Sequence, residues 1–174
     1  MTAETRAVLY IFSGLPGSGK STLAQALATE HGATYLRIDT VEQALRELCD
    51  VNVEGEGYRL SYRLARDNLA LGISVVADSC NPIQLTRDEW RAVASELNAE
   101  FIEIEVICSD PEEHRKRVED RQVNIEGLLL PTWQQVQDRE YHDWQDQRLV
   151  IDTAGASIEG SIQKLLDEVS KHST

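Results

Sequence analysis

Gly14-Leu15-Pro16-Gly17-Ser18-Gly19-Lys20-Ser21-Thr22 decides the fold of this chain. Its first eight residues match G-x-x-x-x-G-K-[S/T], the P-loop or Walker A motif. The flanks fit the motif. Val8–Phe12 reads as a buried strand, and the apolar run from Ser21 to Ala28 reads as a helix. The glycines allow a tight turn in which successive N–H groups converge on phosphate oxygens, and the helix N-terminus adds partial positive charge. Gly14, Pro16, Gly17, Ser18, Gly19, Lys20, Ser21 and Thr22 are therefore expected to cradle a nucleoside triphosphate. Lys20 is placed to reach the β- and γ-phosphates, and the Ser21 hydroxyl to ligate Mg²⁺.

The other strands follow at regular intervals. Apolar runs at Thr34–Ile38, Ser74–Ala77, Glu103–Cys108 and Arg148–Ile151 alternate with helical patterns. Capping boxes are expected at Thr40, Thr86 and Thr132, and an Asp110 N-cap with Pro111 at the first helical position. Strand–helix alternation of this kind implies an α/β fold: a parallel sheet with helices on both faces and ligands at the strand carboxyl ends. At 174 residues the chain is expected to form one domain, residues 1–174.

Composition narrows the partners. The formal charge is −13, which opposes a nucleic-acid surface, and no segment reads as a membrane span or signal peptide. Cys49, Cys80 and Cys108 are odd in number and widely spaced, as expected of reduced thiols in a cytoplasmic protein rather than a zinc site. The thirteen Arg against four Lys suit fixed phosphate contacts, although compositional bias accounts for this equally well.

Two acids stand at strand ends. Asp39 closes Tyr35-Leu36-Arg37-Ile38-Asp39, and Asp78 precedes Ser79-Cys80-Asn81. One such acid can support Mg²⁺ while the other accepts the proton of an attacking hydroxyl. The fourth strand leads into Glu112–Arg121, where Arg117 and Arg121 lie four apart on one helical face. A less regular stretch follows, so residues 117–135 are expected to form a lid that brings Arg121 to the transferring group. Arg115 is expected to pair with surface acids. Arg59 and Arg63, beside Tyr58 and Tyr62, either line an acceptor pocket with Asn81 or form a solvated basic face. Asp152-Thr153-Ala154-Gly155 mimics a GTPase D-x-x-G element, but it follows the last strand and the chain contains no N-K-x-D. GTPase chemistry is excluded on that basis.

The G-L-P-G-S-G-K-S-T loop, the R-I-D and V-V-A-D-S-x-N strand ends and the E-E-H-R-K-R-V-E-D-R helix resemble small P-loop kinases. That group includes gluconate-kinase-like, chloramphenicol-phosphotransferase-like and zeta-toxin-like enzymes and polynucleotide 5′-kinase domains, and is also called AAA-type. The resemblance implies a three-layer P-loop fold with sheet order 2-3-1-4-5. It implies transfer of the ATP γ-phosphate to a hydroxyl, with Asp39 as catalytic base, Asp78 and Ser21 at the metal, and Arg117 and Arg121 on phosphates or adenine. The expected acceptor is a small molecule and the expected assembly a monomer or homodimer. The alternatives are a nucleoside monophosphate kinase, a polynucleotide 5′-kinase, or a slow ATPase acting as a regulatory switch.

Overall fold

Strand alternation builds two cores on one sheet. The computed structural model describes residues 6–172. Five parallel strands, β1 (Val8–Ser13), β2 (Thr34–Arg37), β3 (Val75–Asp78), β4 (Glu100–Ile107) and β5 (Leu149–Asp152), pair in the order β2-β3-β1-β4-β5. Leu9, Ile11, Val75 and Ala77 point to one face and pack on Tyr62, Ala65, Trp90 and Val93. These belong to helices α3 (Glu56–Ala70) and α4 (Gln84–Glu96). Tyr10, Phe12, Val76, Ile104 and Ile151 point to the other face, against Leu23 and Leu27 of α1 (Lys20–His31) and Leu165 and Val169 of α7 (Ile158–Ser170). Strands buried on both faces read as continuous apolar runs, which is why β1 and β3 are so plain in the sequence.

The remaining helices are α2 (Ile38–Cys49), α5 (Pro111–Glu119) and α6 (Trp133–Gln137). All sit at or near the strand carboxyl ends. Among the described residues no helix is long and apolar enough to cross a membrane, and Cys49, Cys80 and Cys108 are all free.

Two of the expected caps are replaced. α2 begins at Ile38, so Thr40 lies inside its first turn, and Asp39 belongs to the helix rather than to the strand. α4 begins at Gln84, and the Thr86 hydroxyl donates back to the Ile83 carbonyl. At α2 the chain turns straight from β2 into the helix, with extended Arg37 at the cap position. At α4 a loop of residues 79–83 intervenes and extended Ile83 takes that position, so neither threonine starts its helix. The Thr132 capping box and the Asp110 cap form as expected.

The α4 side carries one unusual group. Arg87 is fully buried, with its guanidinium 3.9 Å from the Trp144 ring centre. Its Nε donates to the Asn81 carbonyl at 3.0 Å and Nη2 to the His142 carbonyl at 2.9 Å. Main-chain carbonyls and an aromatic face thus take the place of a carboxylate, and they tie the loop after β3 to the segment before β5. The R87A variant leaves those carbonyls unpaired beside a void. It is expected to lose about 3 kcal/mol of stability in urea unfolding; a loss near zero would show that this tie is dispensable.

Candidate active site

The P-loop of this chain is shaped from behind and open in front. Gly17 and Gly19 have φ of 83° and 93°, in the left-handed region that glycine tolerates. A Cβ on Gly14 would stand 2.3 Å from the Val106 carbonyl oxygen, so no other residue fits there. The Gly14 amide donates to Cys80 O at 3.1 Å, and the Ser18 amide to Leu15 O at 3.2 Å. Neither Gly14 nor the buried Ser18 lines the cavity, so both act as framework. His114 of α5 donates from Nε2 to Pro16 O at 2.8 Å and packs edge-on against Trp133 of α6. Helix α1 has no side-chain cap and no acid in its first turn. Its leading N–H groups are therefore available to an anion. Pro16, Gly17, Gly19, Lys20, Ser21 and Thr22 line a cavity of about 570 Å³, of a size that holds a nucleotide.

Beneath that cavity lies a buried ion pair. Lys20 Nζ is 2.8 Å from Asp78 Oδ1, and the Tyr35 hydroxyl donates to Asp78 Oδ2 at 2.6 Å. Asp78 is 2% exposed. Burial pushes its carboxyl up, but the Lys20 ammonium outweighs burial, aided by hydrogen bonds from Lys20, Tyr35 and Ser21, and holds it below the ordinary aspartate range. Burial likewise pushes Lys20 down, yet Asp78 keeps the ammonium above its ordinary value. The Tyr35 phenol is pushed well above its usual range by burial and then by the Asp78 charge. The three groups therefore stay Lys⁺, Asp⁻ and neutral Tyr at any moderate pH.

The lid arginines lie opposite. Arg121 stands just beyond the end of α5, with Nη2 3.8 Å from Asp39 Oδ2 in the first turn of α2. Arg117 donates to the Thr153 hydroxyl at 2.7 Å and the Thr153 carbonyl at 2.9 Å, and pairs with Glu113. Thr153 in turn donates to the Ser18 carbonyl at 2.8 Å. Arg117 thus fixes the loop after β5 to the P-loop, on the side where Ala156, Ile158 and Ser161 line the cavity. Residues 120–132 form an irregular segment that contains Gly127 and rests against Gln43 and Glu47 of α2. Arg115 pairs with Glu119 on the surface. The D-x-x-G stretch is a capped turn: Asp152 Oδ1 accepts from Ser109 N and Ala154 N.

Arg59, Arg63 and Asn81, the expected acceptor-side groups, do not line the cavity, and neither do Asp39 and Asp78. Arg59 is exposed and paired with Glu56, and Arg63 is exposed on the same helix face. The inward face of α3 belongs to Tyr58 and Tyr62, because helix phase lets only one side of that stripe meet the sheet. Asn81 is fully buried: its Nδ2 donates to Phe12 O at 2.8 Å and its amide to the Tyr58 hydroxyl at 3.1 Å. It braces the strand ends rather than facing a ligand. Tyr35, Arg37, His114 and Thr153 were missed. Only Tyr35 and Arg37 carried a signal, since β alternation puts both on the α1 face with Asp78.

Comparison with known proteins agrees with this geometry. The model of the AAA domain family matches residues 9–146. An adenylyl-sulfate kinase from Geotalea uraniireducens is 32% identical over 97% of this chain and 83% of its own length. One from Oceanobacillus iheyensis is 31% identical over 92% and 82%. The chain belongs to the small P-loop kinase family. Solved structures share its fold. The Mycobacterium tuberculosis APS kinase in complex with AMPPNP and APS superposes with a TM-score of 0.67 at 19% identity, covering 95% of this chain and 98% of that one. A Sinorhizobium meliloti gluconokinase gives 0.67 at 15% identity, covering 97% and 94%. The chain is a P-loop phosphotransferase that uses ATP.

The buried pair predicts a pH signature for the K20M variant. With the ammonium present, Asp78 is held below its unfolded value near 3.9, so its contribution to stability is complete above that value and lost as pH falls through the folded pKa. Without the ammonium, burial dominates and the carboxyl rises, so the variant loses stability as pH rises through the raised folded pKa. The Lys20 contribution is constant in this window, because the raised ammonium titrates only in strong base. The gap in Tm between the two proteins should therefore widen from about pH 4 to about pH 7.5. A constant gap would show that Lys20 is not what keeps Asp78 ionised.

Proposed function

We propose that this phosphotransferase moves the γ-phosphoryl group of ATP, taken as its Mg²⁺ complex, to a hydroxyl of a small-molecule acceptor, with adenylyl sulfate the first candidate. The observation that carries this reading is the placement of Asp39. Its carboxylate lies next to a lid arginine, 3.8 Å from Arg121, and close enough to Lys20 to raise the ammonium's pKa. A carboxylate next to an arginine that lines the same cavity as the P-loop lysine supplies the kinds of group that phosphoryl transfer to an alcohol requires.

Lys20 and the amides at the start of α1 hold the phosphates. Ser21 lies within hydrogen-bond reach of Asp78, and the two would hold Mg²⁺ directly or through water; when bound, the ion offsets charge on the β- and γ-phosphates. The donor set fits a metal of that kind. Among the described residues no cluster of three or more His, Cys, Asp or Glu forms a cage, and Mg²⁺ takes most of its ligands from phosphate and water. Asp39 takes the acceptor proton. Arg121 gives up its carboxylate partner and meets the charge that develops on the transferring group, so catalysis rests on position and fixed charge. Adenylyl sulfate is favoured because it is the substrate named for relatives 31% and 32% identical over most of this chain.

ADP release measured across adenylyl sulfate, gluconate, nucleosides and aminoglycosides should show one compound raising turnover at least tenfold above the acceptor-free rate. If no compound does so and a protein partner does, the chain is a nucleotide-dependent switch instead. With the acceptor in hand, D39N should lower kcat by about a hundredfold or more while ATP affinity stays within about twofold. Unaltered transfer would remove Asp39 from the chemistry.

A further inference from the structure

Four cationic side chains line the cavity: Lys20, Arg37, Arg117 and Arg121. Three of them hold a carboxylate: Lys20 has Asp78, Arg117 has Glu113 and Arg121 has Asp39. Arg37 has none within ion-pair distance among the described residues. In a chain with 30 acids against 17 bases, a cavity-facing cation without an acid is out of pattern. It is not idle through exposure, since it is half-buried and its Nε is buried with no hydrogen-bond partner. Its hydrogen bond among the described residues is a neutral one, Nη1 donating to Asn124 Oδ1 of residues 120–132 at 3.0 Å. Its Nε is thus desolvated and the remaining N–H groups of the fork carry no acid, a state that is stabilised by an incoming oxyanion.

Position says which oxyanion. Arg37 ends β2 with its Cα in register with Asp78, and Asp78 in register with Phe12 at the end of β1. It therefore sits over the same sheet face as the Lys20–Asp78 pair, beside Ser21 and Thr22, and away from Ile158 and Ser161 at the other end of the cavity. Lys20 and Ser21 are the residues that meet the distal phosphates in a P-loop. We infer that Arg37 is a ligand of the terminal phosphate of the bound triphosphate, and that through Asn124 it ties the presence of that phosphate to the position of the lid. A fixed fork already bonded to the lid by one nitrogen can offer its remaining N–H groups to phosphate oxygens without letting go. This rests on the kinase reading for its nucleotide but not on any acceptor.

The test is equilibrium binding of a non-hydrolysable ATP analogue and of ADP, by calorimetry, to the unaltered protein and to R37A, R37K and N124A. R37A should bind the triphosphate analogue about tenfold more weakly while ADP affinity changes by less than about twofold. R37K should recover part of the difference, because it restores charge without the fork. N124A, which removes the tie but keeps the guanidinium, should lose part of the preference and less of it than R37A. Loss of affinity for both nucleotides alike, no loss for either, or full reproduction of the R37A pattern by N124A would each overturn the assignment while leaving nucleotide binding in place. Failure of the unaltered protein to bind either nucleotide would overturn the kinase reading as well.

Discussion

The buried pair of Lys20 and Asp78, 2.8 Å apart, is the interaction on which the arrangement of the site depends. Neither charge would be tolerated alone at that depth, because each would lose its hydration with nothing in exchange. The pair therefore fixes three elements at once: the start of α1, the end of β3 and, through the Tyr35 hydroxyl, the end of β2. The P-loop can be short and glycine-rich because its lysine is anchored below rather than by the loop itself. The same pair sets a condition on binding. Phosphate can draw Lys20 upward only if Asp78 gains another positive partner, and a metal ion beside Ser21 would be one. Tyr35 and Ser21 keep two donors on the carboxylate throughout the exchange.

The lid follows the same rule at lower stakes. Arg121 with Asp39, and Arg117 with Glu113, are half-exposed pairs of an acidic chain that supplies its own counterions. Such pairs contribute little to stability, on the order of 1 kcal/mol or less. They are accordingly easy to exchange for phosphate, which carries more charge and matches the guanidinium fork. Arg117 is the more firmly held of the two, bonded to both the hydroxyl and the carbonyl of Thr153, whereas Arg121 has the 3.8 Å pair with Asp39.

Much of this was legible in the sequence, for reasons that differ by residue. The strands and the P-loop follow from apolar runs and a local motif, while the sheet order comes from the resemblance to small P-loop kinases, and the structure places β3 beside β1 as that order requires. Asp78 was legible because strand ends are where α/β sites gather. Asn81 was misplaced because a left-handed φ of 45° turns its side chain inward, and no local pattern marks that turn. Arg59 and Arg63 were misplaced because the stripe of arginines and the stripe of tyrosines adjoin, and only packing on the sheet decides which faces in. The Tyr35–Asp78 bond joins residues 43 apart and Arg87 with Trp144 joins α4 to the segment before β5, so both arise from tertiary closure.

That closure also separates what the fold must keep from what it can vary. Gly14 N to Cys80 O and Asn81 Nδ2 to Phe12 O lock the ends of β1 and β3 together, and Arg87 locks the loop after β3 to the segment before β5. The P-loop and the acid beneath it are thereby braced together, by one main-chain bond and by the buried Asn81 and Arg87 side chains that donate to main-chain carbonyls. The side around Asp39 is built differently: it consists of α2 and the irregular segment that touches α2 through Gly127, Gln43 and Glu47. Replacing side chains there alters shape and charge around Asp39 without disturbing Lys20 or Asp78. A fold divided in this way can keep the Lys20–Asp78 half of the cavity constant while the residues around Asp39 change.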